Sequence, residues 1–136
     1  MTTIFEKIVA GQAPCHRVAE TAHALAFLDI SPLTAGHTLV IPKAHYADLL
    51  DIPIDTLAAV MALAQQVAKR QMQVLAADGI TVWQNNRAAG GQEVFHYHVH
   101  VMPRWTDQRL NRQLRMTAAQ LADMAQRLSF DALTIG

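Results

Sequence analysis

One long amphipathic segment, residues 54–77, constrains the fold of this chain more than any other part of its sequence. Its apolar side chains recur every three or four residues, which is the period of a helix with one buried face. They are Leu57, Val60, Met61, Ala64, Val67, Ala68, Met72 and Leu75. We expect Asp51 to cap this helix, Pro53 to lie in its first turn, and Gly79 to stop it.

Short β-rich segments and two shorter helices are predicted around the long helix. The predicted strands are 23–29, 37–41, 80–84 and 93–102, and the predicted helices are 4–9 and 117–128. Pro103 is expected to stop the last strand. A short loop joins 80–84 to 93–102, so these two strands are expected to be antiparallel neighbours. The order of elements predicts an α+β fold with an antiparallel β-sheet, one long helix and a C-terminal helix.

Length and composition exclude several classes of protein. With 136 residues, of which 51% are hydrophobic and 16% charged, the chain is expected to form a single folded domain. Basic and acidic residues number 11 each, so the chain lacks the basic excess of a general nucleic-acid-binding protein. No apolar run reaches the roughly 18–20 residues of a membrane span, and residues 1–7 carry no secretory signal. Cys15 is the only cysteine, which excludes an intramolecular disulfide and favours a cytoplasmic location.

Three of the seven histidines alternate with other residues over positions 96–100. Successive side chains of a strand point to opposite faces, so His96, His98 and His100 are expected to share one face. Tyr97 and Val99 would then occupy the other face and pack beneath the long helix. The three imidazoles would follow one another at intervals of roughly 7 Å.

The residues alone leave three interpretations of this histidine face open. The first is a solvated polar surface, and the second is a zinc site built on His96 and His98. The third is a histidine nucleophile for phosphorus, with one ring nitrogen held by a backbone carbonyl and neighbouring histidines as acid or hydrogen-bond donors. The upstream Gly90-Gly91-Gln92 favours the third, because a glycine-rich loop can bring amide donors close to an anion.

The segment 96–102 resembles the motif of the histidine-triad (HIT) family, His-φ-His-φ-His-φ-φ with φ apolar, and Tyr97 is its least apolar position. Further segments resemble the family in its order: 4–8, 26–32, 36–43 and 90–95. The resemblance covers residues 3–104, which we interpret as the motif-bearing core of one HIT-like domain, with 105–136 as a C-terminal helical extension. It implies the family's α+β fold and a two-fold homodimer whose strands join into one sheet.

The resemblance also implies a function and a set of catalytic residues. The chain is expected to be a nucleotide hydrolase or transferase that acts at the α-phosphorus of a nucleoside 5′-phosphate derivative. This substrate would be a phosphoramidate, a dinucleoside polyphosphate or a nucleotidyl ester, with a purine base. His98 would take the nucleotidyl group, His100 would contact the phosphate and assist the leaving group, and His96 would align the site. His37 corresponds to the family's fourth histidine near the phosphate.

Other positions resemble the family's nucleotide-binding residues. Asp29 corresponds to the carboxylate that binds the ribose hydroxyls, although a carboxylate before Ser31-Pro32 can also cap a turn. The apolar slot for the base corresponds to Ile4, Phe5, Phe27, Leu28 and Ile30. Asn85, Gln92 and Glu93 correspond to groups that line the phosphate and the leaving group.

Two departures from the family pattern stand out. Many relatives carry Cys-x-x-Cys near the N-terminus, which binds a structural zinc, whereas this chain has Thr3-Ile4-Phe5-Glu6. We therefore expect no such zinc, and no metal or other cofactor is expected. Met102-Pro103-Arg104 follows the triad where the phosphoramidase branch has Gly-Gly, so the chain is more similar to a general bacterial subgroup or to the dinucleoside polyphosphate hydrolases. The alternatives are a nucleotide-binding regulatory module with little catalysis and a zinc-dependent hydrolase.

Overall fold

The amphipathic segment forms the predicted long helix, and its apolar face covers one side of a five-stranded antiparallel sheet. The computed structural model describes residues 2–133. In chain order the elements are α1 (Ile4–Val9), β1 (Arg17–Glu20), β2 (Ala24–Leu28), β3 (Thr38–Pro42), α2 (Ile54–Leu75), β4 (Gly79–Trp83), β5 (Val99–Arg104) and α3 (Ala118–Leu128). The strand order in the sheet is β1-β2-β3-β5-β4, and every neighbouring pair is antiparallel. The α+β fold class and the antiparallel pairing of β4 with β5 are thus confirmed.

The ends of α2 differ from the sequence-based prediction. Its N-cap is Pro53 and has no side-chain hydrogen bond, because the Asp51 carboxylate instead accepts from the Ala47 amide at 2.9 Å. Its C-cap is Ala76 in the left-handed conformation, with φ of 50°. Gly79 is therefore not the stop but the first residue of β4.

Strand alternation gives the sheet two different apolar faces. The face beneath α2 and α3 contains Leu28, Val40, Tyr97, Val99 and Val101, which belong to one buried cluster. The opposite face carries a smaller cluster formed by Phe5 of α1 with Leu25, Phe27, Leu39 and Ile41. Tyr97 and Val99 thus pack on the side of the long helix, as predicted.

The last strand begins later and ends later than predicted. Residues 93–98 leave the sheet, and the Tyr97 amide donates to the Tyr46 carbonyl at 2.7 Å, outside the sheet ladder. Pro103 lies inside β5, opposite Ile80 of β4. On the other side, pairing with β3 ends at Thr38 and Val101, so no ladder bond requires the amide hydrogen that Pro103 lacks.

The ends of the sheet show one missed and one confirmed element. Strand β1 was not predicted, because its burial pattern, with Val18 and Ala19 both buried, does not alternate. A register shift between Arg17 and Ala19 accounts for the two successive buried residues. Helix α3 begins after Thr117, whose side chain forms a capping box with Gln120, as the predicted cap requires. No helix among residues 2–133 is long and apolar enough to cross a membrane.

Candidate active site

Three histidines meet on the face of the sheet opposite α2. The ring centroids of His98 and His100 are 5.0 Å apart, and those of His37 and His100 are 5.1 Å apart. His98 Nδ1 lies 2.8 Å from the His96 carbonyl oxygen. A carbonyl only accepts, so Nδ1 carries the hydrogen and Nε2 keeps its lone pair.

The tautomers of His37 and His100 follow from a chain of hydrogen bonds. The Leu33 amide donates to His37 Nδ1 at 3.1 Å, so the hydrogen of the neutral ring is on Nε2. His37 Nε2 lies 2.9 Å from His100 Nδ1 and therefore donates to it. The hydrogen of His100 is consequently on its Nε2, which presents a donor rather than an acceptor.

Burial keeps these imidazoles neutral at physiological pH. Desolvation, followed by the proximity of His98, lowers the pKa of His37 to about 4. Desolvation, followed by His98 and His37, also lowers the pKa of His100 to about 4. The pKa of His98 is lowered mainly by burial, while its hydrogen bond to the His96 carbonyl opposes the shift. A neutral His98 is the form that can act as a nucleophile.

His96 does not join this group, in contrast to the sequence-based expectation of three adjacent imidazoles. It precedes β5, is fully buried, and its Nε2 donates to the Pro42 carbonyl at 2.9 Å. Phe5 contacts both His96 and His98, with ring centroids at 5.8 Å and 5.1 Å. We call the group formed by His37, His98 and His100 the histidine pocket. His37, which directly precedes β3, takes the place expected for His96, and His96 reaches the pocket only through its backbone carbonyl.

Asp29 lies beside the histidines and also stabilises a turn. One carboxylate oxygen accepts from the Ser31 amide at 2.8 Å, and the other lies 3.6 Å from His37 Nε2. Burial raises the pKa of Asp29, which the Ser31 amide partly opposes. The bond to Ser31 corresponds to the interpretation of Asp29 as a turn cap. The approach to His37 corresponds to its interpretation as a polar group of the site.

The residues expected to line an apolar slot divide between the two faces of the sheet. Phe5 and Phe27 pack edge to face, with ring centroids 5.6 Å apart, on the histidine side. Ile4 and Ile30 remain 48% and 72% exposed, so both are accessible to a ligand. Leu28 is a correction to the prediction. It lies next to Phe27 in β2, so its side chain points into the core beneath α2 and cannot line the slot.

The loop after β4 is held by Gln92 rather than left open for a ligand. The Gln92 side chain accepts from the Arg87 amide at 2.6 Å and donates to the Ala47 and Val94 carbonyls at 2.6 Å and 3.1 Å. It is buried, and these three hydrogen bonds engage both ends of its side-chain amide, so it shapes the loop from within. Glu93 is exposed, and its charge counteracts the lowered pKa of His98.

Asn85 lies at the start of the same loop. Its side-chain amide donates to the Gly91 carbonyl at 3.4 Å. Gly91 has φ of 93°, a conformation that favours glycine. Asn85 and Gly91 thus hold the glycine-rich turn, Ala88–Gly90 and its cap, in one shape.

A second cluster of ligand-type side chains lies behind the histidine pocket. Glu6, His45 and His96 place one possible ligand atom each within 4.8 Å of one another. Among residues 2–133, the buried His96 Nδ1 has no hydrogen-bond partner. The sequence indicates only a structural role for His45, because it is the fold that brings α1, the loop after β3 and the segment before β5 together.

The fold and site define a class of protein, namely a small α+β protein whose antiparallel sheet presents a carbonyl-held histidine beside a hydrogen-bonded histidine pair. The HIT domain family model matches residues 10–107. The chain belongs to the histidine-triad (HIT) family.

Known relatives support this assignment. A HIT-like protein from Bartonella henselae superposes with a TM-score of 0.89 at 38% identity, covering 93% of each chain. An adenosine 5′-monophosphoramidase of Schizosaccharomyces pombe is 41% identical over 76% of this chain and 75% of its own length. An adenylylsulfatase of Arabidopsis thaliana is 34% identical over 91% of this chain and 68% of its own length. The family to which the chain belongs therefore includes nucleotide hydrolases.

A zinc-bound HIT protein of Mycobacterium smegmatis is also similar, with a TM-score of 0.85, 40% identity and coverage of 94% and 91%. The cluster of Glu6, His45 and His96 offers a carboxylate and two imidazoles, a donor set that zinc accepts, and His96 Nδ1 is an unpartnered lone pair. His45 Nε2 lies 2.8 Å from the Phe95 carbonyl, so His45 would have to release this hydrogen bond to bind a metal through that nitrogen. The Pro42 carbonyl would orient His96 from behind. The second possible ligand group among residues 2–133 consists of Asp29, His37 and His100, so neither group of three combines His96 with His98.

Proposed function

We propose that this protein hydrolyses or transfers a nucleoside 5′-phosphate derivative at its α-phosphorus, through a covalent intermediate on His98. One observation carries the proposal. His98 Nδ1 donates to the His96 carbonyl, which leaves the Nε2 lone pair free on a ring whose centroid lies 5.0 Å from that of His100. A neutral ring needs no deprotonation before it attacks phosphorus, and this tautomer makes Nε2 the attacking nitrogen.

In the first step, the His98 Nε2 lone pair forms a bond to the α-phosphorus. The bond between phosphorus and the leaving group breaks, and the leaving group takes its electron pair. The His100 Nε2–H, oriented by His37, donates a hydrogen bond to the oxygens on which negative charge develops. This donor needs no prior protonation, since the neutral ring already carries its hydrogen on Nε2.

In the second step, water attacks phosphorus and the nitrogen–phosphorus bond returns its electron pair to His98 Nε2. One hydrogen of the water stays on the product as hydroxyl, and the other leaves as a proton that balances the charge of the leaving group. A different acceptor in place of water would make the reaction a transfer. Two displacements replace one difficult hydrolysis with two easier steps.

The rest of the nucleotide has fitting neighbours on the same face. Asp29 would accept hydrogen bonds from the ribose hydroxyls, since it lies 3.6 Å from His37 and is partly accessible. Phe27, Phe5, Ile4 and Ile30 would contact the base, for which we propose a purine. A metal held by Glu6, His45 and His96 would be structural, joining α1 to the segment before β5.

The test is turnover of a fluorogenic adenosine phosphoramidate and of a diadenosine polyphosphate. We expect His98→Asn to abolish both activities, together with the labelled nucleotidyl-histidine intermediate that we expect to trap from the wild type by quenching in alkaline denaturant, in which the nitrogen–phosphorus bond is stable. His23→Asn is the matched control, because His23 is exposed and is not among the contacts of the site. Tight binding of AMP by a wild type without turnover would instead support a regulatory nucleotide-binding module.

We also propose that the protein is a homodimer. Strand β4 is an edge of the sheet, and its outer side has no strand partner among residues 2–133. Val82 and Trp83 of this strand are 50% and 40% exposed. An edge with exposed apolar side chains is suited to pairing with the same strand of a second copy.

A further inference from the structure

The segment between β5 and α3 is unusual in charge. Residues 105–116 contain three arginines, Arg109, Arg112 and Arg115, and one acidic residue, Asp107, although the whole chain has a formal charge of zero. All three arginines are exposed. The segment is therefore a local concentration of positive charge on a neutral protein.

Hydrogen bonds hold this segment in place at its start and in its middle. Trp105 Nε1 donates to the Leu75 carbonyl at 3.2 Å, and the Thr106 amide donates to Asp78 at 2.8 Å. In the middle, the Asn111 amide donates to the Leu33 carbonyl at 2.8 Å. The segment is thus fixed against the loop that joins β2 to β3.

That loop is the one that carries the ribose side of the candidate active site. It leaves β2 at Asp29 and enters β3 at His37, and its Leu33 amide donates to His37 Nδ1 at 3.1 Å. Leu33 therefore bonds to His37 through its amide and to Asn111 of the segment 105–116 through its carbonyl. Along this path of hydrogen bonds, Leu33 is the one residue between the histidine pair and the segment that carries the arginines.

Two of the arginines have no partner in the described part of the chain. Neither Arg109 nor Arg112 forms an ion pair or a side-chain hydrogen bond among residues 2–133, whereas Arg115 donates to the Arg112 and Leu114 carbonyls. Asn111 builds a turn around Arg112, because it accepts from the Gln113 amide with its side chain and from the Leu114 amide with its carbonyl. Arg112 is thus presented at the tip of an ordered turn.

The histidines do not supply positive charge of their own. Burial lowers the pKa of His37 and His100 to about 4, so at neutral pH they offer hydrogen bonds without net charge. A second phosphate on the substrate would need cations from elsewhere. Guanidinium groups bind phosphate with paired hydrogen bonds and keep their charge at all relevant pH values.

We propose that Arg109 and Arg112 form a subsite for a second phosphate carried by the ribose of the substrate. The substrate class is then a nucleoside 3′,5′-bisphosphate derivative, cleaved at the 5′ side by the histidine pocket. This inference rests on the proposed function, because it takes Asp29 as the residue beside the ribose. It deepens that function, because a ribose-phosphate subsite would let the protein discriminate between substrates that have the same base, α-phosphate and leaving group.

The experiment compares three ligands by isothermal titration calorimetry: AMP, adenosine 3′,5′-bisphosphate and ADP. The last two are isomers of equal composition whose extra phosphate lies on the ribose or on the 5′ chain. We expect the wild type to bind the 3′,5′-bisphosphate about tenfold more tightly than AMP and than ADP. A preference for ADP, or equal affinities, would overturn the proposal.

The matched variants separate the subsite from general electrostatics. In Arg109→Gln/Arg112→Gln, the ratio of affinities for the 3′,5′-bisphosphate and AMP should fall towards one. The control Lys69→Gln/Arg127→Gln removes the same charge from the exposed surface of α2 and α3 and should keep the ratio. Equal losses for both ligands, or an unchanged ratio in the first variant, contradict the subsite. AMP binding without discrimination leaves the proposed function intact, whereas absence of all binding overturns both.

Discussion

At the scale of single residues, the site depends on which ring nitrogen carries a hydrogen. The Leu33 amide sets the tautomer of His37, His37 sets that of His100, and the His96 carbonyl sets that of His98. His37 and His98 are buried and His100 is partly buried, and burial favours the neutral form of an imidazole. The same burial that prepares the nucleophile therefore makes the folded state sensitive to acid.

This sensitivity gives a prediction for stability against pH. The pKa of His37 falls from 6.5 in the unfolded chain to about 4 in the fold, so between these values only the unfolded state takes up the proton. The titration of His37 should therefore leave the free energy of unfolding undiminished above pH 6.5 and lower it as the pH falls towards 4. At pH 5 the loss attributable to His37 is about 2 kcal/mol.

Urea unfolding at pH 7 and pH 5 measures this difference. His37→Gln, which cannot titrate, should lose less stability than the wild type between the two pH values. The other titrating groups are shared by the two proteins, but His37 also lowers the pKa of His100, so the difference reports the hydrogen-bonded pair of His37 and His100. An identical pH dependence in both proteins would exclude the depressed pKa.

At the scale of elements, α2, α3 and β5 converge on the loop before β3. Buried Gln71 of α2 donates to the carbonyls of Gly36 and Val101, both at 3.0 Å, and so joins the helix to the loop before β3 and to β5. Gly36 has φ of 95°, and a Cβ added there would lie 2.7 Å from Leu75 Cδ1 and 3.2 Å from Pro103 Cγ. Glycine is required at this position for both its conformation and its size.

Gly36→Ala should therefore destabilise the protein by about 2 kcal/mol or more, through overpacking and a disfavoured backbone conformation. Gly79→Ala is the matched control, because nothing lies within 4 Å of its added Cβ. We expect the control to change the free energy of unfolding by less than about 1 kcal/mol. Equal effects of the two substitutions in urea unfolding would refute the close packing at Gly36.

At the scale of the whole molecule, the sheet ends differently on its two sides. The edge strand β1 carries the charged residues Arg17 and Glu20, and Glu20 binds Lys43 at 2.9 Å. The edge strand β4 instead exposes Val82 and Trp83. Charges at an edge discourage pairing with another chain, whereas apolar side chains favour it. This asymmetry supports β4 as the dimer edge.

Trp83→Arg should convert the proposed dimer into a monomer, because it places a charge at the centre of an apolar contact. Size-exclusion chromatography with light scattering gives the mass directly. Ala119→Arg adds the same side chain on the exposed surface of α3 and should leave the mass unchanged. A monomeric wild type at micromolar concentration contradicts the dimer.

Hydrophobic periodicity and turn-forming residues were sufficient to predict the local elements from the sequence. The long helix, the capped α3, the short α1 and the antiparallel pair β4 and β5 follow from residue spacing, turn residues and Thr117. These features depend on interactions within one helix or between strands joined by a short loop. The β1 strand was missed because a local irregularity removed the alternation that would have indicated it.

The chemistry of the site was only partly determined by the sequence. The spacing of His96, His98 and His100 indicated a histidine centre. However, residues 93–98 lie outside the sheet, before β5 begins, so the alternation of side chains between two faces does not apply to them. The family resemblance implied that His37 lies near the phosphate, but only the tertiary structure showed that His37 rather than His96 pairs with His100, and that His96 faces Glu6 and His45. The physical reason is that side-chain direction inside a strand follows a local rule, whereas contacts between distant segments depend on how the whole chain packs.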